Sequence, residues 1–183
     1  NTAHELGHKN NKWDRLHAKI GNIIIGYGHF NIEHNKGHHT WVSTPEDPAS
    51  SRMGENIYRF AIREISGTVR RGLHHEKQRL AAQGRGFWSI HNDVLQVYGA
   101  TLIIMIGFAF LYDPSILWFL IPHHFLGWYT LTQANYVEHY GLLRQKKPNG
   151  KYERTQPHHS WNTNHTFSNM MLFHLQRHSD HHA

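Results

Sequence analysis

VLQVYGATLIIMIGFAFLY, residues Val94–Tyr112, is the most informative segment of the chain for its fold class, because it holds nineteen consecutive residues without a formal charge. As an α-helix with a rise of ~1.5 Å per residue it would span ~28 Å, close to the hydrocarbon thickness of a bilayer. Asp113-Pro114 follows as a turn pair, and residues 114–134 are again free of formal charge. The sequence predicts a transmembrane helical hairpin over 91–134 with a very short far-side loop. A buried helix pair in a soluble protein is the alternative.

Basic residues flank this hairpin on both sides. Since loops rich in lysine and arginine mark the cytoplasmic side of a membrane protein, both flanks are expected in the cytoplasm. This placement explains the net charge of +6 without nucleic acid, and no nucleic-acid-binding module is recognisable. The residues concerned are Arg52, Arg59, Arg63, Arg70, Arg71, Lys77, Arg79 and Arg85 before the hairpin, and Arg144, Lys146, Lys147, Lys151 and Arg154 after it.

The sequence predicts one partial catalytic domain that consists of four parts. The first two histidine clusters lie in 1–42, a basic cytoplasmic segment in 43–90, the hairpin in 91–134, and a second cytoplasmic part in 135–183. Both ends lie inside histidine clusters, so we expect an internal fragment of a longer protein. The predicted fold is all-α: a membrane helical bundle with a cytoplasmic helical cap that carries the histidines.

Residues 53–83 have the apolar spacing of a helix, with arginines on the other face. This helix is expected either to lie on the cytoplasmic surface or to pack on a missing part of the protein. Its predicted apolar positions are Ile57, Phe60, Ala61, Ile65, Val69 and Leu73.

Histidine dominates the composition, with 20 residues against 13 aspartates and glutamates, and there is no cysteine. The absence of cysteine excludes disulfide scaffolds, thiolate metal sites and thiol nucleophiles. Histidine is the commonest metal ligand in proteins. The composition therefore points to imidazole chemistry.

The histidines recur in clusters with helical spacing. His4 and His8, four residues apart, would share one helix face, within reach of one ion. A second cluster repeats this spacing and adds a neighbour, a third has HxxHH spacing, and a further histidine follows the second predicted span. The nine candidate ligands are His4, His8, His34, His38, His39, His139, His178, His181 and His182.

Nine imidazoles exceed what one ion can use, so the sequence predicts two ions, each with an open position of the kind found in catalytic sites. Imidazole alone does not choose among zinc, copper, iron and nickel. A site at the end of an apolar helix bundle favours a lipid-delivered apolar substrate, whose oxidation needs a redox metal and O2, which favours iron. A membrane zinc peptidase with Glu5 as general base and a metal transporter or sensor remain alternatives.

Four motifs resemble those of the membrane-bound alkane 1-monooxygenases. They are HELGHK (4–9), EHNKGHH (33–39), NYVEHYGL (135–142) and LQRHSDHHA (175–183). The loop STPEDPASSRMGE and the segment 160–165 look like the same family. The three histidine clusters alone are shared with membrane fatty-acid desaturases and xylene-type monooxygenases. The last two motifs, NYVEHYGL and LQRHSDHHA, narrow the resemblance to the alkane 1-monooxygenases.

The resemblance implies a bacterial inner-membrane enzyme with about six transmembrane helices, of which this chain would hold two. It implies a non-haem di-iron centre held by the nine histidines, and oxidation of the terminal methyl of medium-chain n-alkanes by O2 to 1-alkanols. Electrons would come from rubredoxin and an NADH-dependent reductase. Glu138, Asp180 and Glu5 are candidates to orient the histidines through their second ring nitrogen.

The histidines outside the nine candidate ligands are expected to have other roles. His74, His75, His158 and His159 lie in polar stretches and are expected to be solvated. His123 and His124 are expected to be neutral and hydrogen-bonded, facing the bundle. His174 is expected to serve packing or hydrogen bonding, and the role of His165 is left open.

Overall fold

The computed structural model of the chain describes residues 2–172 and 175–182, with the backbone alone for Asp180 and His182. A π-helical segment, His34–His38, joins α3 to α4, and short 3-10 turns occupy Pro114–Ile116 and Pro157–His159. The α-helices are α1 (Thr2–Gly7), α2 (Lys12–Ile25), α3 (Phe30–Glu33), α4 (His39–Trp41), α5 (Ile57–Ala81), α6 (Asp93–Leu111), α7 (Leu117–Glu138), α8 (Thr166–Met171) and α9 (His178–His182).

The fold is all-α, as predicted. Over residues 2–172 and 175–182, β-pairing is limited to one isolated antiparallel bridge between Lys146 and Tyr152. Long helices form where the sequence offers caps and uninterrupted periodicity. Asn11, Asn56 and Asn92 each accept a backbone N–H in the first turn of α2, α5 and α6.

Helix α6 is the one helix among the described residues that is long and apolar enough to cross a membrane. Only 17% of its apolar stretch is buried within the chain, which is unlike the core helix of a soluble protein. Helix α7 is also long, but Pro122, His123 and His124 interrupt its apolar sequence, and it does not meet the same criterion. Membrane association thus rests on α6, and the second span of the hairpin stays a prediction.

Helices α6 and α7 both pack against α2. Thr101 of α6 donates a 2.8 Å hydrogen bond to the carbonyl of Ile23. On α7, Gly127 lies so close to Ile25 that an added Cβ would be 3.1 Å from the Ile25 Cβ. Helix α2 ends at Gly26, whose φ of +66° and hydrogen bonds to Asn22 and Ile23 are typical of a left-handed C-cap.

Helix α5 packs within this chain through a face that the sequence did not single out. Phe60 and Ala61 are buried, whereas Ile65, Val69 and Leu73, predicted to meet the membrane surface or a missing part, stay partly exposed. A polar stripe with a spacing of four or eight residues is buried instead, consisting of Glu64, Thr68 and Glu76. The reason is that α5 packs within this chain against polar neighbours: Asn135 donates to one carboxyl oxygen of Glu64 (2.6 Å), and the Asp93 N–H donates to Glu76 (2.6 Å).

The buried Glu64 makes stability depend on pH. Burial raises the pKa of Glu64 to about 7 from its ordinary 4.5, so the folded protein holds this proton more tightly than the unfolded chain does. Its contribution is therefore present at pH 4.5 and is lost as the pH rises towards 7, by up to about 3 kcal/mol. Glu64→Gln should flatten the fall in melting temperature of the full-length protein between pH 5 and pH 8. The exposed Glu46→Gln is the control, and parallel curves for Glu64→Gln and wild type would contradict the assignment.

Candidate metal centre

The second histidine cluster lies on a π-helical turn, in which hydrogen bonds link residues i and i+5. The N–H of His39 bonds to the carbonyl of His34 across this turn. The wider turn places the His39 ring over the His34 ring, with their Nε2 atoms 3.1 Å apart. His38, one residue earlier, points to a different set of neighbours, so one short segment supplies two sites.

The first histidine group consists of His4, His8, His34, His39 and His181. Ligand atoms of four of them lie within 4.8 Å of one another. The Nε2 atoms of His4 and His34 are 2.7 Å apart, and the Nε2 of His39 lies 3.1 Å from those of His34 and His181. Helices α1 and α9 and the π-helical segment thus direct imidazole nitrogens to one point.

The second histidine group consists of His38, His139 and His178. Their ligand atoms also lie within 4.8 Å of one another, and each side chain is at most 2% exposed. The His139 ring centre is 4.9 Å from that of His38 and 5.0 Å from that of His178. His139 reaches this group from the C-terminal end of α7.

The two groups adjoin each other, and two of the three histidine clusters of the sequence contribute residues to both groups. The rings of His34 and His38 stack at 5.2 Å, and those of His178 and His181 stack at 5.5 Å, although each pair contributes to different groups. The expected sharing of one ion by a pair four residues apart therefore fits His4 and His8 but not His34 and His38. The arrangement offers two neighbouring positions for metal ions.

The donor set fits metal binding. Burial lowers the pKa of His8 to about 4 and the pKa values of His139 and His181 to about 3, so these imidazoles are neutral at pH 7, as a ligand must be. The Nε2 of His8 is buried without a hydrogen-bond partner. Convergent neutral imidazoles suit zinc, copper, iron or nickel.

Carboxylates lie against the Nδ1 side of three histidines. Two of them were candidates from sequence: Glu5 is 3.0 Å from Nδ1 of His4, and Glu138 is 3.2 Å from Nδ1 of His178. Burial raises the pKa of Glu138 to about 8, and the positive charge of a metal on His178 would favour its ionised form. Contacts of this kind fix the ring orientation and leave Nε2 for the metal.

The third carboxylate, Asp47, was missed by the sequence reasoning. It is fully buried, and its Oδ2 lies 2.8 Å from Nδ1 of His38. Ser50 donates to the same oxygen (2.6 Å), and Arg71 donates to Oδ1 (2.7 Å). Although burial acts to raise the pKa of Asp47, its hydrogen bonds with His38 and Ser50 and the charge of Arg71 hold it below its ordinary value. The sequence feature that could have pointed to Asp47 is an acidic residue within a loop rich in proline and serine.

Arg71 links this loop to the π-helical segment. It was assigned to the basic flank of the hairpin, but it is mostly buried, and its guanidinium also donates to Glu33 (2.7 Å). The chain of contacts from His38 through Asp47 and Arg71 to Glu33 therefore ties the second histidine group to the helix that precedes it.

His159 corrects another expectation. It is 2% exposed rather than solvated, and its carbonyl accepts from Ser43 (2.8 Å) and lies 3.4 Å from Nδ1 of His139. Its own Nδ1 accepts the N–H of Gln156 (2.9 Å), which places its proton on Nε2, 3.2 Å from Glu153. The backbone carbonyl of His159 thus supports His139, and the tautomer of its ring leaves no nitrogen lone pair for an ion beside Glu153.

The structure shows where some of the remaining predicted residues lie, and the others fall outside the described residues. His74 and His158 are exposed as expected, His75 is partly buried, and His165 is exposed. His124 lies against Gly26, and His123 is half-buried. The predicted ligand His182 and the candidate carboxylate Asp180 fall on side chains outside the described residues, as does all of His174.

Fold and site together define a class: an all-helical, membrane-associated protein whose buried histidines form a candidate centre for two metal ions. A family model described as "Fatty acid desaturase" matches residues 1–183. The chain belongs to the fatty acid desaturase family.

Among curated proteins, the chain is similar to alkane 1-monooxygenases. It is 57% identical to alkane 1-monooxygenase of Ectopseudomonas oleovorans and 56% identical to alkane 1-monooxygenase 1 of Alcanivorax borkumensis, over the whole chain in both comparisons. These alignments cover 46% and 45% of the two relatives, so the chain spans about half their length. The xylene/toluene monooxygenase hydroxylase component XylM of Pseudomonas putida is 28% identical over 98% of the chain and 47% of that protein. The resemblance inferred from the motifs is confirmed.

Proposed function

We propose that the full-length protein containing this chain is an alkane 1-monooxygenase of the bacterial inner membrane. It oxidises the terminal methyl of medium-chain n-alkanes with O2, giving 1-alkanols and water at the expense of two electrons and two protons. Rubredoxin supplies the electrons and is itself reduced by an NADH-dependent reductase. The histidine groups face the cytoplasm.

The observation that carries this proposal is the division of eight described histidines into two adjoining buried groups. Such an arrangement is suited to two ions that act on one substrate. The identity of 56–57% to alkane 1-monooxygenases supports alkanes rather than the substrates of XylM, to which the identity is 28%. His182 completes the nine proposed ligands.

Two iron ions bound by these histidines would supply the reductive activation of O2 that attack on an unactivated C–H bond requires. The residues of the chain hold the site ready for that chemistry. Asp47, Glu5 and Glu138 orient His38, His4 and His178 through Nδ1, and burial of the second histidine group excludes bulk water. The exposed apolar surface of α6 lies in the lipid in which an alkane dissolves.

A zinc peptidase built on His4-Glu5-Leu6-Gly7-His8 is disfavoured. Its general base would have to face a metal-bound water, but Glu5 points to the Nδ1 atoms of His4 and His181, at 3.0 and 3.6 Å. The six further histidines in the two groups would have no role in such an enzyme.

The proposal predicts a salt-dependent reaction with rubredoxin. A chain with a net charge of +6 would attract an acidic electron-transfer protein, and such steering weakens as salt screens the charges. Raising the ionic strength should therefore slow rubredoxin-supported turnover of the full-length enzyme, measured as NADH oxidation coupled to product formation. Turnover supported by a small uncharged reductant is the control and should change little, and a salt-independent rate with rubredoxin would count against steering.

The test of the proposed reaction uses membranes that contain the full-length protein. They are supplied with rubredoxin, its reductase, NADH, 18-O-labelled O2 and octane, and the products are identified by mass spectrometry. We expect 1-octanol that carries one labelled oxygen. Absence of octanol from membranes that contain two irons per chain would reject alkane hydroxylation, and desaturation of acyl lipids would be assayed next.

A further inference from the structure

Helix α2 packs beside the first half of α6. Near the start of α6, Lys19 of α2 donates to Asp93 at 2.8 Å. Farther along, Thr101 of α6 donates to Ile23 of α2 at 2.8 Å. Thr101 lies ~12 Å deeper along the helix axis than Asp93. The two helices therefore run in the same direction, and the C-terminal half of α2 reaches the depth of the apolar part of α6.

The outer face of α2 has the composition of a helix at a membrane surface. Trp13, Leu16, Ile20 and Ile24 recur every three or four residues and are 44–68% exposed. The basic residues lie between Lys12 and Lys19, and the six residues after Lys19 carry no charge. Interfacial helices combine an apolar face with lysine, arginine and tryptophan at headgroup depth.

A basic cavity opens at this depth, between α2, the π-helical segment, and the facing ends of α5 and α6. Its volume is about 430 Å³. It is lined by five basic side chains and one acidic one, Asp93, which contacts two of the five: Lys19 (2.8 Å) and Arg79 (3.3 Å). Within the described part of the chain, the other three form no ion pair: Lys12, Arg15 and Lys36. The cavity has the charge of an anion site.

Three asparagines also line the cavity: Asn22, Asn31 and Asn35. Its lining is therefore polar as well as basic.

We propose that this cavity binds the headgroup of an anionic phospholipid. The phosphate lies among Lys12, Arg15 and Lys36. The acyl chains run along the apolar stripe of α2, starting at Leu16, which lines the cavity and belongs to the stripe. This site depends on the placement of α6 in the membrane and is independent of the reaction proposed above.

The test uses the full-length protein in lipid nanodiscs made from an equimolar mixture of phosphatidylcholine and phosphatidylglycerol. After transfer to detergent, native mass spectrometry identifies the lipid that each chain retains. We expect wild type to retain phosphatidylglycerol selectively. The double variant Lys12→Gln, Arg15→Gln should weaken retention by roughly 10- to 30-fold, given the usual contribution of each basic residue to anionic-lipid binding.

The matched control is Lys147→Gln, Arg154→Gln, which removes the same charge from exposed positions outside the cavity and should retain the lipid as wild type does. Inorganic phosphate in excess should not displace the lipid, and displacement would assign the cavity to soluble phosphate instead. Equal retention by both double variants, or no selective retention by wild type because another segment of the longer chain covers the cavity, would overturn the proposal.

Discussion

Replacing His38 with alanine in the full-length protein is expected to empty one of the two proposed metal positions and to abolish alkane hydroxylation. His38 is fully buried in the second histidine group, where His139 and His178 are its described partners. Loss of one of so few nitrogens should release the ion, whereas the first histidine group keeps its five ligands. Iron content should fall from about two to about one per chain.

Metal analysis of the purified protein, together with the octane assay, measures this effect. His8→Ala should produce the complementary loss from the first histidine group, so that the two variants differ in the spectroscopic signature of the iron that remains. His158→Ala is the matched control, because His158 is exposed and belongs to neither group. Two irons and full turnover in His38→Ala would remove His38 from the ligand set, and loss of both irons would refute the division into two groups.

Asp47→Asn is expected to lower metal affinity and activity by about 10- to 100-fold, the usual effect of losing a carboxylate behind a histidine ligand. The substitution conserves size but removes the negative charge that lies 2.8 Å from Nδ1 of His38 and 2.7 Å from Arg71. The imidazole then becomes a weaker ligand, and Arg71 keeps only Glu33 as a charge partner.

Iron titration of the apo-protein and the steady-state rate with octane together measure the effect of Asp47→Asn. The neighbouring Glu46→Gln is the control, since Glu46 is exposed and contacts Tyr152 rather than a histidine. A melting temperature close to that of wild type would separate weaker metal binding from general unfolding. Unchanged iron affinity in Asp47→Asn would show that Asp47 serves the packing of its loop and not the metal centre.

Much of the site was accessible from sequence because histidine clusters with helical spacing are a local signal. Glu5 and Glu138 were accessible for the same reason, since each adjoins a candidate ligand in the chain. Asp47 was not accessible, because no spacing rule relates residue 47 to the imidazole of residue 38. His159 was assigned to solvent because its polar sequence context does not show that the chain folds it against His139.

The all-α fold, the apolar helix α6 and the set of histidines could be predicted from the sequence, because length, periodicity and residue type act locally. The division of the histidines into two groups could not, since it depends on how distant segments pack together. The π-helical turn rotates His39 onto His34 and sends His38 to the other group, a local geometry that the α-helical period does not predict. Tertiary packing likewise buries a polar stripe of α5 that the sequence pattern does not single out. The free energy of a buried polar group depends on the partners that the rest of the fold brings to it.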